Sequence, residues 1–187
     1  MKRSPVQDCS GTQLGRRTHR ALCAMAILIP VLGGSLSVAS ASPAATDPRE
    51  AAYWIGQELV SLAAGRSEKE AVPGSTMTVV TTLVEEPVPG DLNGDGVEDA
   101  AVWLLQQPGG TGSFLYVAVA LNIEGRFVGT NAVFVGDRIV PQAMRIQNGI
   151  LSVTYVDRHT GEPMAARPSV GVTKNLTVTG GVLAEVP

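Results

Sequence analysis

The sequence predicts an all-β, mainly antiparallel domain, a single sandwich or open barrel that follows a cleaved N-terminal signal peptide. Three observations carry this prediction. From Ala52 onward, short β-branched runs alternate with Gly, Pro and Asn-Gly turn signals, at the roughly ten-residue spacing of β-sandwiches and barrels. No stretch keeps a 3.6-residue apolar period for long, which argues against helices. No internal repeat is present, which argues against a propeller or solenoid.

The N-terminus reads as an export signal rather than as part of the fold. Arg16, Arg17, His19 and Arg20 precede an apolar run from Ala21 to Val38, and Ala39-Ser40-Ala41 supplies the small-x-small pattern of a signal peptidase site. A membrane anchor is disfavoured because Pro30 and Gly33-Gly34 interrupt the run. Its uninterrupted core is also short against the roughly 20 residues that a span needs. Residues 1–41 are therefore expected to be removed, with 42–51 a flexible mature N-terminus and 52–187 the β-rich domain. Both cysteines, Cys9 and Cys23, leave with the signal, so no disulfide is expected. The mature chain keeps nine Lys and Arg against sixteen Asp and Glu, a formal net charge of −7. Such a surface repels phosphate backbones, so nucleic acid is excluded as a partner class.

The strands follow in order. Tyr53-Trp54-Ile55 and Glu58 to Ala63 flank Gly56-Gln57 as a small hairpin, and the polar residues 65–76 read as a connecting loop broken by Pro73-Gly74. Met77 to Val84 is rich in β-branched residues, and Ala100 to Leu105 is apolar. Joined through the Asp-rich stretch between them, these two form a hairpin. Phe114 to Leu121 is apolar on both faces, as expected of a central strand covered on both sides. Further strands are expected over Phe127 to Val135 and at Arg138-Ile139-Val140. The tight turn at Gln147-Asn148-Gly149 leads into Ile150 to Val156. Val170 to Val178 and Val182-Leu183-Ala184 complete the set, with a loop from Asp157 to Pro168 before them.

The strongest chemical signal is Gly90-Asp91-Leu92-Asn93-Gly94-Asp95-Gly96-Val97-Glu98-Asp99. Asp91, Asn93, Asp95 and Asp99 occupy alternate or near-alternate positions, with Gly96 where the chain must turn sharply. Hard cations such as Ca²⁺ take six to eight oxygens in loops of this kind. The predicted ligands are the side chains of Asp91, Asn93, Asp95 and Asp99 and the Val97 carbonyl, while Glu98 points outward. Three carboxylates so close together repel one another unless a cation offsets them. An EF-hand would place Glu at the twelfth position, which here is Val102. The competing reading is a plain polar turn, because Asn93-Gly94 and Asp95-Gly96 are both favoured turn pairs. Two such pairs in four residues exceed what one turn requires.

The spacing resembles the calcium loops of integrin-type and dockerin-type repeats, in which a ninth-position Asp closes the site; Asp99 matches that place. More of the chain carries a second resemblance: residues 90–101, Gly112 to Asn122, Gly129 to Ile139, Gly161-Glu162-Pro163-Met164 and Pro168 to Val172. Through these blocks the chain resembles a family of small exported bacterial proteins with a Gly-Asp-Leu-Asn-Gly-Asp-Gly-x-Glu-Asp loop, to which no activity is assigned. The resemblance implies a β-rich fold, an envelope location and an occasional association with lysozyme-inhibitor-like domains.

Other candidates are weak. His159 is the one histidine of the mature chain and sits near Asp157, Arg158 and Glu162, a set that reads first as a solvated loop. No cysteine nucleophile and no Gly-x-Ser-x-Gly elbow is present. Gly109-Gly110-Thr111-Gly112 lacks the lysine of a phosphate loop. Asp137-Arg138 and Asp157-Arg158 suit structural ion pairs, and core packing accounts first for Trp54, Trp103, Phe114 and Tyr116. The expected function is thus a non-enzymatic, periplasmic or secreted module. It carries one structural Ca²⁺, needs no organic cofactor, does not span the membrane once cleaved, and binds an envelope protein or ligand of unknown identity. An inhibitor of a cell-wall hydrolase such as lysozyme is the alternative. A metal-dependent hydrolase is the second, and it wants a convincing base.

Overall fold

The structure, a computed structural model, describes residues 45–186. The signal segment expected over 1–41, and residues 42–44 of the N-terminal stretch, lie outside the described residues. From Ala45 the chain already makes specific contacts. The Ala45 carbonyl accepts from Phe127 N at 2.8 Å, and Pro48–Glu50 forms a 3₁₀ turn capped by Asp47, whose carboxylate accepts from Arg49 N at 2.7 Å.

Twelve strands follow among the described residues. The first eight are β1 (Ala52–Ile55), β2 (Glu58–Ser61), β3 (Arg66–Glu70), β4 (Thr78–Gly90), β5 (Asp99–Gln107), β6 (Phe114–Ile123), β7 (Arg126–Gly129) and β8 (Asn131–Asp137). They form one curled sheet in the order β2-β1-β8-β6-β5-β4-β3, with β7 also paired to β6. The remaining four, β9 (Val140–Gln147), β10 (Ile150–Asp157), β11 (Val170–Thr179) and β12 (Val182–Glu185), form a meander in the order β12-β11-β10-β9. All pairings are antiparallel except β1 with β8. The predicted fold class is the observed one.

β6 lies at the centre of the curled sheet, and with β5 it is buried on both faces. Ala101 and Trp103 of β5 join Leu115, Val117, Val119 and Leu121 of β6 in a core shared with Leu151, Val153 and Leu176 of the second sheet. The alternate residues, Ala100, Val102, Leu104, Ala118 and Ala120, turn into the curl against Tyr53, Val60 and Leu62. Strand side chains alternate between faces, so each face has its own residue set. Three alanines on the concave side fit the small space within a tight curl. Each fully buried Val or Leu contributes roughly 1.5–3 kcal/mol, so this double coverage dominates the stability of the fold. Tyr53 is wholly buried, and its hydroxyl donates to the Pro48 carbonyl at 2.7 Å.

The structure departs from the expected elements at four places. Residues 66–70, expected within a loop, form β3; its Arg-Ser-Glu-Lys-Glu sequence suits an edge strand, where charge discourages unwanted pairing. β4 runs past Val84 to Gly90 through a bulge at Glu85, whose φ is +64°. That irregularity accommodates Glu85, Glu86 and Pro87, which break the sequence pattern. The stretch 127–135 divides at Thr130, which exchanges both its N–H and its hydroxyl with Val119 of β6 (Thr130 N to Val119 O 2.8 Å; Val119 N to Thr130 Oγ1 3.1 Å). β1 enters beside this break, where Gly129 is obligatory: a Cβ there would lie 2.2 Å from the Ala52 carbonyl. Finally, Arg138 is a turn residue with φ +53°, and β9 extends from Val140 to Gln147. Pro141 is tolerated because β9 is an edge strand.

Candidate metal centre

The Asp91–Asp99 segment closes the β4–β5 hairpin, whose ladder ends at the pair Gly90 and Asp99. Leu92 is buried in the core between the sheets and anchors the loop. Beyond it the chain folds on its own side-chain oxygens. Asp91 accepts from Gly94 N through Oδ1 at 2.7 Å and from Gly96 N through Oδ2 at 3.0 Å. Asn93 Oδ1 accepts from Asp95 N at 2.9 Å, and Asp95 Oδ1 accepts from Val97 N at 2.7 Å. The Asn93 and Asp95 bonds are successive Asx turns, in which a short side chain caps the backbone two residues on, while Asp91 reaches three and five residues ahead. Asn93 Nδ2 also donates to Asp95 Oδ2 at 2.8 Å. Gly96 sits at φ +81°, the left-handed turn that its position demands.

Asp99 differs from the other acids. It is 1% exposed. Its Oδ2 accepts from Leu92 N at 3.0 Å and its Oδ1 from Asn122 N at 2.9 Å. Asn122 in turn donates through Nδ2 to the Glu98 carbonyl at 3.3 Å and accepts from Gly125 N at 3.0 Å. The base of the loop is thereby fastened to the β6–β7 turn. Sequence reasoning assigned no role to Asn122; its only local sign is an Asn placed before the Glu124-Gly125 turn.

Asp91, Asn93, Asp95 and Val97 thus share the outer turn, while Asp99 stands at its buried base. Glu98 is exposed, as its even position implies. Among the described residues, no group of three or more His, Cys, Asp or Glu side chains is gathered into a cluster of metal-holding geometry. Nor does Asp91, Asp95, Glu98 or Asp99 meet a Lys or Arg in any ion pair among those residues. The amides that organise the loop are neutral, so they bring no positive charge to the four acids within these nine residues.

The other candidates resolve into structure. Glu162 accepts from His159 N at 2.9 Å, closing an exposed turn. The Arg158 side chain does not pair with Asp157, whose carboxylate accepts the Arg158 backbone N–H at 2.7 Å; the guanidinium donates to the carbonyls of Ala166 at 2.7 Å, Asp137 at 3.2 Å and Arg138 at 3.0 Å. Asp137 pairs with Arg138 at 3.1 Å and accepts from Ser113 N at 2.9 Å. Burial pushes the Asp137 carboxyl up, but the Ser113 amide, the Arg138 bond and charge, and the Arg158 charge together hold it below the ordinary carboxylate value. Trp103 is core, whereas Trp54 is 46% exposed, so packing explains only the first of the two. Phe134, half exposed, stacks edge-on with Phe114 and Tyr116 at centroid distances of 6.2 and 5.4 Å.

No helix among the described residues is long and apolar enough to cross a membrane. Compared with protein-family models, curated proteins and solved structures, the chain matches none.

Proposed function

We propose that the protein is an exported, non-enzymatic β-domain that takes up one Ca²⁺ in the Asp91–Asp99 loop and serves as a binding or structural module of the cell envelope. The observation that carries the reading is the charge of the loop: four carboxylates within nine residues, three of them held by neutral amides, and none in an ion pair with a Lys or Arg among the described residues. A divalent cation is the direct remedy for that imbalance. Asp91, Asn93, Asp95 and the Val97 carbonyl would hold it on the outer turn. Asp99 can contribute without releasing its amides, because each carboxylate oxygen has a further lone pair. A bound ion would stiffen the hairpin rather than perform chemistry. Against an enzyme stands the use already made of Glu162 and Arg158, the neighbours of His159, which are spent on backbone groups of their own loop and of the β8–β9 turn.

Calorimetric titration of the purified chain with Ca²⁺, and separately with Mg²⁺, tests the reading. A single site is expected with Kd on the order of 10⁻⁴–10⁻³ M for Ca²⁺, weakened at least tenfold by Asp91→Ala. Absence of binding at 10 mM Ca²⁺ would reduce the loop to a polar turn.

A further inference from the structure

The curled sheet stops short of closing. Its terminal strands, β2 and β3, each have one hydrogen-bonded neighbour, β1 and β4 respectively, although the chain passes directly from one to the other. They touch at the Ala63–Arg66 bridge, where both backbone bonds form at 2.9 and 3.1 Å. Beyond it they separate around a cleft of about 320 Å³, railed by residues 58–61 and 67–71 and floored by Val79, Thr81 and Gln106. Lys69 reaches Glu58 across it, side chain to side chain. Paired strands would instead bond backbone to backbone at ~4.8 Å spacing.

Each rail is a strand edge, and a strand edge presents a row of N–H and C=O groups to any backbone laid beside it. Two edges that face one another offer partners to both sides of an inserted strand, so the ligand that complements them is an extended backbone. The floor is partly polar. Thr81 is 2% exposed, and its hydroxyl meets only Gln106 Nε2, at 3.5 Å, the limit of a hydrogen bond. The rails carry Glu58, Glu68 and Glu70 against Lys69, with Arg66 of β3 paired to Glu68 beside them, an acidic excess of one, in a mature chain of net charge −7. The geometry points to a β-augmentation site between β2 and β3, taking an extended segment of a partner protein with a small polar residue over Thr81 and basic residues at its flanks. This site lies beside the half of β4 remote from the Asp91–Asp99 loop, and it is independent of whether the loop holds calcium.

The test is an NMR titration of the ¹⁵N-labelled chain with the peptide acetyl-Lys-Val-Thr-Val-Thr-Val-Lys-amide. The expected result is shifted and exchange-protected amides confined to residues 58–61 and 67–71, with submillimolar affinity at low salt. A Glu-flanked version should bind at least tenfold more weakly, and Glu68→Lys, an exposed change, should narrow that preference. N-methylation at alternate peptide residues should abolish binding by removing the donors of one edge. No response at millimolar peptide, shifts elsewhere, or an equal response to the N-methylated peptide would overturn the assignment. Self-association through the same amides without peptide would overturn the foreign strand in favour of a second copy.

Discussion

Two loops of this domain, Asp91–Asp99 and Asp157–Pro168, solve the same problem with opposite chemistry. Each must fold a polar connection without regular structure. The first does so with acceptors: Asp91, Asn93, Asp95 and Asp99 take backbone amides, most of them within five residues. The second does so with a donor: Arg158 gathers three carbonyls, one from its own loop and two from the β8–β9 turn. The difference lies in what is left over. Beside Arg158 stands Asp137, held charged, so the cation has a counter-charge nearby. Around the Asp91 loop no Lys or Arg forms an ion pair with Asp91, Asp95, Glu98 or Asp99 among the described residues. A loop can therefore be complete in hydrogen bonds and incomplete in charge, and the second deficit is the one that a metal ion meets.

The sharpest way to break the comparison is at Asp99. Its carboxylate satisfies two amides while buried, and hydrogen bonds to charged groups contribute about 1.5–3 kcal/mol each. Asp99→Ala is expected to cost about 3 kcal/mol, lowering Tm by about 10 °C, with or without calcium. A loss seen only with calcium present would make Asp99 primarily a ligand. Next comes Arg158→Ala, expected to cost about 2 kcal/mol in urea unfolding, because three carbonyls lose a half-buried partner. Arg158→Lys should recover less than half of this, since an ammonium lacks the planar fork. The smallest effect is with pH. The folded Asp137 carboxyl sits below its ordinary value, so its contribution is present above the unfolded carboxylate pKa. It is lost as pH falls through the folded one. Asp137→Asn should flatten the acid limb of the stability curve, and an unchanged limb would assign that limb to other acids.

Much of the fold is legible in the sequence because its signals are local. Asn148-Gly149 marks a hairpin turn, and the Phe114–Leu121 run marks the strand that two cores cover. The outer turn of the Asp loop is legible for the same reason, since Asp91, Asn93 and Asp95 find partners within five residues. What escaped depends on distant neighbours. β3 is a strand because β4 lies beside it, not because Arg66–Glu70 favours one. The break at Thr130 depends on Val119. The burial of Asp99 depends on Asn122, twenty-three residues further on, so an acid that reads as a ligand also serves as the pin of the loop.

The central claim is that the Asp91–Asp99 loop is short of positive charge and calcium supplies it. Thermal unfolding of the purified chain with excess EDTA, and then with Ca²⁺ at ten times Kd, tests it most directly, with Asp95→Ala and Arg158→Ala in parallel. Calcium should add about 1.4 kcal/mol to the wild type, or about 4 °C in Tm. The same gain should persist in Arg158→Ala from its lower baseline and vanish in Asp95→Ala. An unchanged wild-type Tm, or an equal gain in Asp95→Ala, would contradict the account.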